Sequence, residues 1–441
     1  MSPKTLASAA ALGAAAVLGA LLPAAVPSGG PIDAGDTAWM LTATALVLLM
    51  TPGLSFFYGG MVRRKNVLST MLQSYIAMGA VSLIWVVVGF SLAFGDSLGG
   101  VVGDPRTFLF LRGVGGGSDP ALSPTIPLAL FALFQLKFAI ITPALITGSF
   151  AERVRFSSYV LFIVLFTVLV YCPLAHATWH PDGLLRKAGV LDFAGGTVVH
   201  MSAGFAALAG ALVLGPRADH QPGQVHTPAR IPYVLLGTGM LWFGWFGFNA
   251  GSALAANGLA VHAFLTTNTA SAAAMLTWLV VDALRGGRPS SMGACIGAVV
   301  GLVAITPAAG FVTVGASISI GVLAAIASNL MVHYKSRTDL DDTLDVFPCH
   351  GVGGIVGMLL TGVFATTAVN SGGADGLLYG GTGLFFRHLG ALVGVGAWTL
   401  GLSWLIYQVV DRISPLRVTA DQEERGLDLS QHEEQVFVGE G

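Results

Sequence analysis

His200 and His350 are the residues of this chain whose type and setting most directly suggest chemistry. Each lies in an apolar run, where an ionisable side chain is expensive and needs a reason. Gly195, Gly196 and Gly204 surround the first, and Gly351, Gly353 and Gly354 follow the second. Neutral imidazole donates one hydrogen bond and accepts one, so it can line a path for a small polar solute. A lone histidine in a membrane is more often a helix–helix hydrogen-bond partner. Two in corresponding, glycine-rich positions favour the lined path. Haem and metal sites also use paired histidines, but carboxylate and thiolate ligands are missing nearby, so no metal or cofactor is expected.

Aromatics form a second group. Phe134 and Phe138 are four apart and share a helix face, as do Phe248 and Ser252 within the segment 245–252. Trp179 falls in a loop just after the fourth apolar run. Rings facing a desolvated cation offer about 2 kcal/mol each, and a nearby hydroxyl can accept a hydrogen bond. By spacing alone, however, these rings read as core or interfacial packing. Cys172, Cys295 and Cys349 are isolated, without zinc or redox spacing, and read as buried thiols. The apolar runs hold no paired carboxylates and no Ser/His/Asp arrangement, so an enzyme is not expected.

The elements that must position these residues follow from composition. Of 441 residues, 54% are hydrophobic and 10% charged, too few charges to cover a soluble domain. Apolar runs of about 20 residues recur from end to end, each long enough to cross a bilayer. The 59 glycines suit membrane helices that approach closely. A net charge of −2 without a basic patch gives no reason to expect nucleic acid. The chain is expected to be an all-α polytopic membrane protein.

Residues 1–30 read as a signal peptide or N-terminal apolar segment, with a retained first span as the alternative. Eleven spans are expected at about 38–59, 70–94, 126–149, 157–176, 193–214, 232–250, 259–282, 292–308, 312–333, 350–368 and 386–410. Lys and Arg concentrate in loops after odd-numbered spans, which makes those loops cytoplasmic. The mature N-terminus then faces out and the C-terminus in. His200 in span five and His350 in span ten lie five spans apart, which suggests a five-plus-five inverted repeat with one added C-terminal span. Residues 36–410 form the expected membrane domain. The tail 411–441, with eight acids against three arginines, is expected to be a cytoplasmic extension with little core of its own.

Several segments resemble signatures of the Amt/Mep/Rh ammonium transporter family, and its bacterial Amt branch most. They are 192–200 (DFAGGTVVH), 244–252 (GWFGFNAGS), 345–351 (DVFPCHG), 57–60 (FYGG), 65–68 (KNVL) and 151–153 (AER), in the family's order. The resemblance implies an ammonium channel-transporter of the plasma (inner) membrane, a homotrimer with one pore per subunit. Carried over, Phe134, Phe138, Trp179 and Ser252 match the external ammonium site. Phe138 and Phe248 match the stacked gate below it, and His200 and His350 the twin histidines of the pore. Thr306 matches a residue of the lower pore. Asp192 matches an acid near the entrance, read either as helix cap or as electrostatic support, with its place before an apolar helix favouring the cap.

The resemblance also implies passage of ammonia after loss of a proton, the fate of which these residues do not decide. Alternatives are an ammonium sensor with little flux, or a channel for another small solute such as methylamine or carbon dioxide. Segments 416–418, 421–428 and His432 resemble tails that dock a PII-type regulatory protein. Two departures stand out. Lys137 sits beside Phe138, where an uncharged residue is expected; one residue turns a helix by about 100°, which lets it point away from the pore. Pro348–Cys349 replaces the commoner Gly–Val before His350.

Overall fold

The computed structural model describes residues 3–22, 30–223 and 226–436. Helix α1 (Pro3–Leu21) leads the chain, and its side chains from Ala9 onward are largely exposed. Residues 23–29, where the expected N-terminal segment ends, lie outside the described residues. Among the described residues, ten helical runs are long and apolar enough to cross a bilayer. They are α2 (Ala34–Met61), α3 (Arg64–Phe94), α4 (Leu128–Phe150), α5 (Phe156–Lys187), α6 (Gly196–Leu214) and α7 (Ile231–Gly251), then α8 (Gly258–Leu284), α10 (Val314–Lys335), α11 (Phe347–Phe364) and α12 (Thr382–Ile413). Between α8 and α10, where an eighth span was expected, stands α9 (Ser291–Ile305). Its 15 residues fall short of a full crossing. Thr306 to Phe311 follow as turns instead of a further helical turn.

Side-chain caps start several of these helices. Asp33 accepts from Asp36 N at 2.8 Å ahead of α2, and Asn257 from Ala260 N at 3.0 Å ahead of α8. Ser290 accepts from Gly293 N ahead of α9, and Thr313 from Ala316 N ahead of α10. Each satisfies a donor that the first helical turn would leave unpaired. Trp179 does not fall in a loop: it ends the helical segment Cys172–Trp179. That segment outlasts its apolar run because His176 is satisfied inside the protein, by the Ala93 carbonyl at 3.1 Å and Ser97 Oγ at 2.8 Å.

Small residues let the helices touch. A Cβ on Gly237 of α7 would stand 2.4 Å from the backbone nitrogen of Phe57 on α2, so this pair packs backbone to backbone. The tail folds onto the body: α13 (Ala420–Arg425) opens with a Thr419/Gln422 capping box, and α14 (Leu427–His432) follows. Leu416, Val418 and Leu427 are buried, and Asp428 accepts from Leu68 N (3.0 Å) and Ser69 N (2.8 Å) at the start of α3. The tail therefore shares the core of the body, which the acid-rich sequence did not suggest. Residues 437–441 lie outside the described residues.

Candidate functional site

The two histidines occupy matching wide helical turns. His200 lies in the π-helical turn Gly196–Met201 that opens α6, and His350 in the turn Phe347–Val352 that opens α11. Such turns are rare and cluster at functional sites. An aspartate eight residues upstream holds each one. Asp192 accepts from Gly195, Gly196 and Thr197 N at 2.7 Å each, and from Thr197 Oγ1 at 2.5 Å. Asp342 accepts from Val346 N at 3.1 Å and Phe347 N at 2.7 Å. Asp345, singled out by the sequence, takes another course. Its backbone is left-handed (φ 57°) and its carboxylate pairs with Lys335 at 2.7 Å. The first turn of helix after Met201 crosses the turn of His350 where neither residue has a side chain: a Cβ on Gly204 would lie 2.3 Å from Gly351. These glycines are thus a condition for the histidines to meet.

The imidazoles approach through Nδ1, 3.3 Å apart, with ring centres 5.4 Å apart and planes 20° from parallel. One Nδ1 must donate and the other accept. Both rings are buried, and His200 Nε2 has no hydrogen-bond partner. Trp245 lies flat on His200, centres 5.3 Å apart. The sequence segment held this indole but gave it no role. Its Nε1 donates to Thr306 Oγ1 at 2.9 Å, and that hydroxyl donates to the Leu302 carbonyl at 2.7 Å. Thr306 therefore stands behind Trp245 and does not line the cavity at the histidines. That cavity, of about 10 Å³, is walled by Met50, Leu54, Phe57, Ile141, Leu145, Phe248 and other apolar groups. It is room for about one water-sized molecule.

Phe138 and Phe248 stack next to the histidines, their rings 4.1 Å apart at 31°. His200 is 6.1 Å from Phe248, centre to centre. Beyond the rings opens a cavity of about 490 Å³, lined among others by Phe138, Trp179, Asp192, Ser252, Phe131 and Gln135. Trp179 meets Phe138 edge-on at 5.8 Å and donates through Nε1 to the Asp192 carbonyl at 3.1 Å. Ser252 Oγ donates to the Phe248 carbonyl at 2.8 Å, which leaves its lone pairs free to accept. Phe134 packs on Phe138 at 4.9 Å but stays behind it, outside the cavity lining. Gln135 Oε1 is buried and unpartnered beside the same cavity. It had no sequence signal beyond standing between two chosen phenylalanines. Lys137 is half-buried on the outer side of α4 and is not among the residues lining either cavity.

At the opposite end a cavity of about 630 Å³ opens among Arg63, Glu152, Arg217, Lys335, Asp341 and Asp345, among others. Glu152 accepts from Arg63 Nε (2.6 Å) and Arg217 Nη1 (2.9 Å), and Arg217 also pairs with Asp341 at 2.8 Å. Burial alone would raise the Glu152 carboxyl; Arg217 and Arg63 outweigh it and hold it low. Burial opposes the same effect at Asp341, which the Arg217 hydrogen bond and charge keep low. Asp342 goes the other way: burial pushes it up to about 6, against Lys335 and with help from Asp345.

An apolar helix bundle with a cavity on either side of a stacked phenyl pair and a buried imidazole pair defines a polytopic membrane protein. The sequence profile of the Ammonium Transporter Family matches residues 38–437, and the chain belongs to that family. It is 48% identical over 406 residues to a putative ammonium transporter of Methanothermobacter thermautotrophicus, covering 91% of this chain and 98% of that one. An ammonium transporter of Bacillus subtilis is 46% identical over 407 residues, with the same coverage of 91% and 98%. Among solved structures, Candida albicans Mep2 superposes with a TM-score of 0.84 at 38% identity, over 88% of this chain and 87% of that one. A sensor Amt protein does so with a TM-score of 0.82 at 29% identity, over 90% and 98%.

Proposed function

We propose that this chain transports ammonium by recruiting the cation at the aromatic mouth, removing its proton and passing ammonia beside His200 and His350. The observation that carries the reading is the Nδ1–Nδ1 contact of 3.3 Å, set in an apolar constriction directly beneath the Phe138–Phe248 stack. Taking a charge into such a constriction costs several kcal/mol or more. Phe138 and Trp179 offset part of that at the mouth through their ring faces, while Ser252 accepts an N–H. Past the rings the cheaper species is neutral ammonia, which the imidazoles serve as donor and acceptor. Potassium has no proton to release and is refused. Asp192 acts as the cap that fixes the turn of His200.

The wider reading is eleven spans, with α9 as a short crossing and α2–α6 and α7–α11 as five-plus-five inverted halves. The aromatic mouth faces outward at the plasma membrane, the arginine-rich end and the tail face the cytoplasm, and three copies assemble with one pore each. A PII-type protein meets the cytoplasmic end, where α13 and α14 offer a folded surface.

The test is a proteoliposome current on an ammonium jump, wild type beside His200→Ala, with potassium rejection measured in parallel. Loss of the selective signal by tenfold or more, about 1.4 kcal/mol in barrier, is expected with the fold intact. Wild-type rate and unchanged potassium rejection in the variant refute the reading. The likeness to the sensor Amt protein favours one rival, binding without flux; a saturable thermal shift by ammonium with no current in the wild type selects it.

A further inference from the structure

The geometry points to a polar contact between copies of this chain, in which Lys137 of one subunit donates to Asn268 of the partner subunit. Two facts make each residue anomalous alone. Lys137 is half-buried on α4 and Asn268 exposed on α8, both within helices long and apolar enough to cross a bilayer, and neither side chain has a hydrogen bond or ion pair among the described residues. An ammonium or an amide facing hydrocarbon is costly and normally finds a partner.

A run of contacts through the phenyl stack links the levels of the two. Phe138, next to Lys137, stacks on Phe248 at 4.1 Å. Asn249, next to Phe248, donates to Thr267 Oγ1 at 2.9 Å, and Thr267 adjoins Asn268. Adjacent helical residues differ by only about 1.5 Å in height, so these contacts tie both residues to the level of the phenyl stack. Copies in one bilayer share that depth. The groups are also complementary, since lysine only donates and the Asn268 Oδ1 accepts.

The surroundings fit. Phe264, Leu265 and Asn268 of α8, with Trp39 of α2, are among the residues that border an apolar groove of about 640 Å³. On α4, Leu133 is exposed one turn above Lys137 and supplies an apolar side chain for that groove. Different faces of the chain meet, so the contact is head-to-tail, the kind that closes into a ring when its rotation closes. It deepens the proposed trimer by naming a joint within it. It also answers the charge beside the gate: Asn268 of the partner subunit holds the Lys137 ammonium at the rim, away from Phe138.

The test uses full-length chains in lipid vesicles. In the Lys137→Cys/Asn268→Cys variant a short bis-methanethiosulfonate is expected to give covalent dimers and trimers, and in either single variant only monomer. Trimers by native mass spectrometry without cross-linking in the double variant overturn the contact and leave the trimer standing. Monomers throughout overturn both. A second arm needs no cysteine. Asn268→Leu is expected to lower the dissociation temperature of the assembly, and Lys137→Met added to it to restore that temperature. Additive losses refute the pairing.

Discussion

Replacing Asp192 separates a helix cap from an electrostatic lure. Its carboxylate accepts four hydrogen bonds of 2.5–2.7 Å within residues 195–197. Removing an N-cap costs about 0.5–2 kcal/mol, and a hydrogen bond to a charged group is worth about 1.5–3. These four overlap, so Asp192→Ala is expected to lose about 2–4 kcal/mol in total, on the same scale. Asp192→Asn keeps an oxygen for Gly195 and Gly196 but turns an amide toward the donors of Thr197, for about half that loss. Unfolding in detergent should therefore show Tm falling in the order wild type, Asn, Ala. Because the cap holds the turn that carries His200, the maximal ammonium current should fall in the same order while half-saturation stays near the wild-type concentration. If Asp192→Asn keeps the wild-type Tm and maximal current but needs several-fold more ammonium, the carboxylate works by charge and the cap argument is wrong.

Trp245→Phe keeps an aromatic ring for His200 but deletes the donor to Thr306; a loss of about 1 kcal/mol in stability is expected, with reduced flux, measured by unfolding and liposome current. Glu152→Gln breaks a buried pair with Arg63 and Arg217, for about 3–5 kcal/mol and a lower Tm at neutral pH. Acid should do the same to the wild type. Glu152 and Asp341 are held low in the fold, so their stabilisation is present above the ordinary carboxylate range near 4 and lost as pH falls through their folded values. Asp342, raised to about 6, has the opposite sign: it favours the fold when protonated and gives that up as pH rises through about 6. Asp342→Asn should remove that part of the Tm-against-pH curve. Asp428→Ala removes the acceptor for Leu68 and Ser69 N; faster proteolysis of the tail is expected, with the spans still protected.

The spans were legible because a lipid-crossing helix must be apolar for its whole length, and hydropathy reads that directly. The histidines were legible because imidazole is anomalous there. Their glycines were noticed too, although the reason, a crossing at Gly204 and Gly351, is a contact 147 residues apart in sequence. Asp342 stayed hidden behind Asp345. An ordinary cap lies within three residues of its helix, whereas this acid reaches forward over a turn to donors four and five residues on. Trp245 and Gln135 were unreadable for a different reason. One matters through a stacking partner on another helix, the other through a missing bond, and neither leaves a periodic trace. The docking of the tail depends on buried Leu416, Val418 and Leu427 set singly among charges, a pattern too sparse for any hydrophobic period.

Joining the imidazoles through like atoms has a consequence for direction. With a single hydrogen between the two Nδ1 positions, one ring is always the δ tautomer and the other the ε tautomer. Moving that hydrogen across reverses both tautomers only if the ring that gives it up gains a proton at Nε2 and the ring that receives it releases one from its own Nε2; the far nitrogens then exchange roles, and the end that offered a lone pair offers N–H. Each change of setting in this pair therefore carries one proton in at one far nitrogen and one proton out at the other.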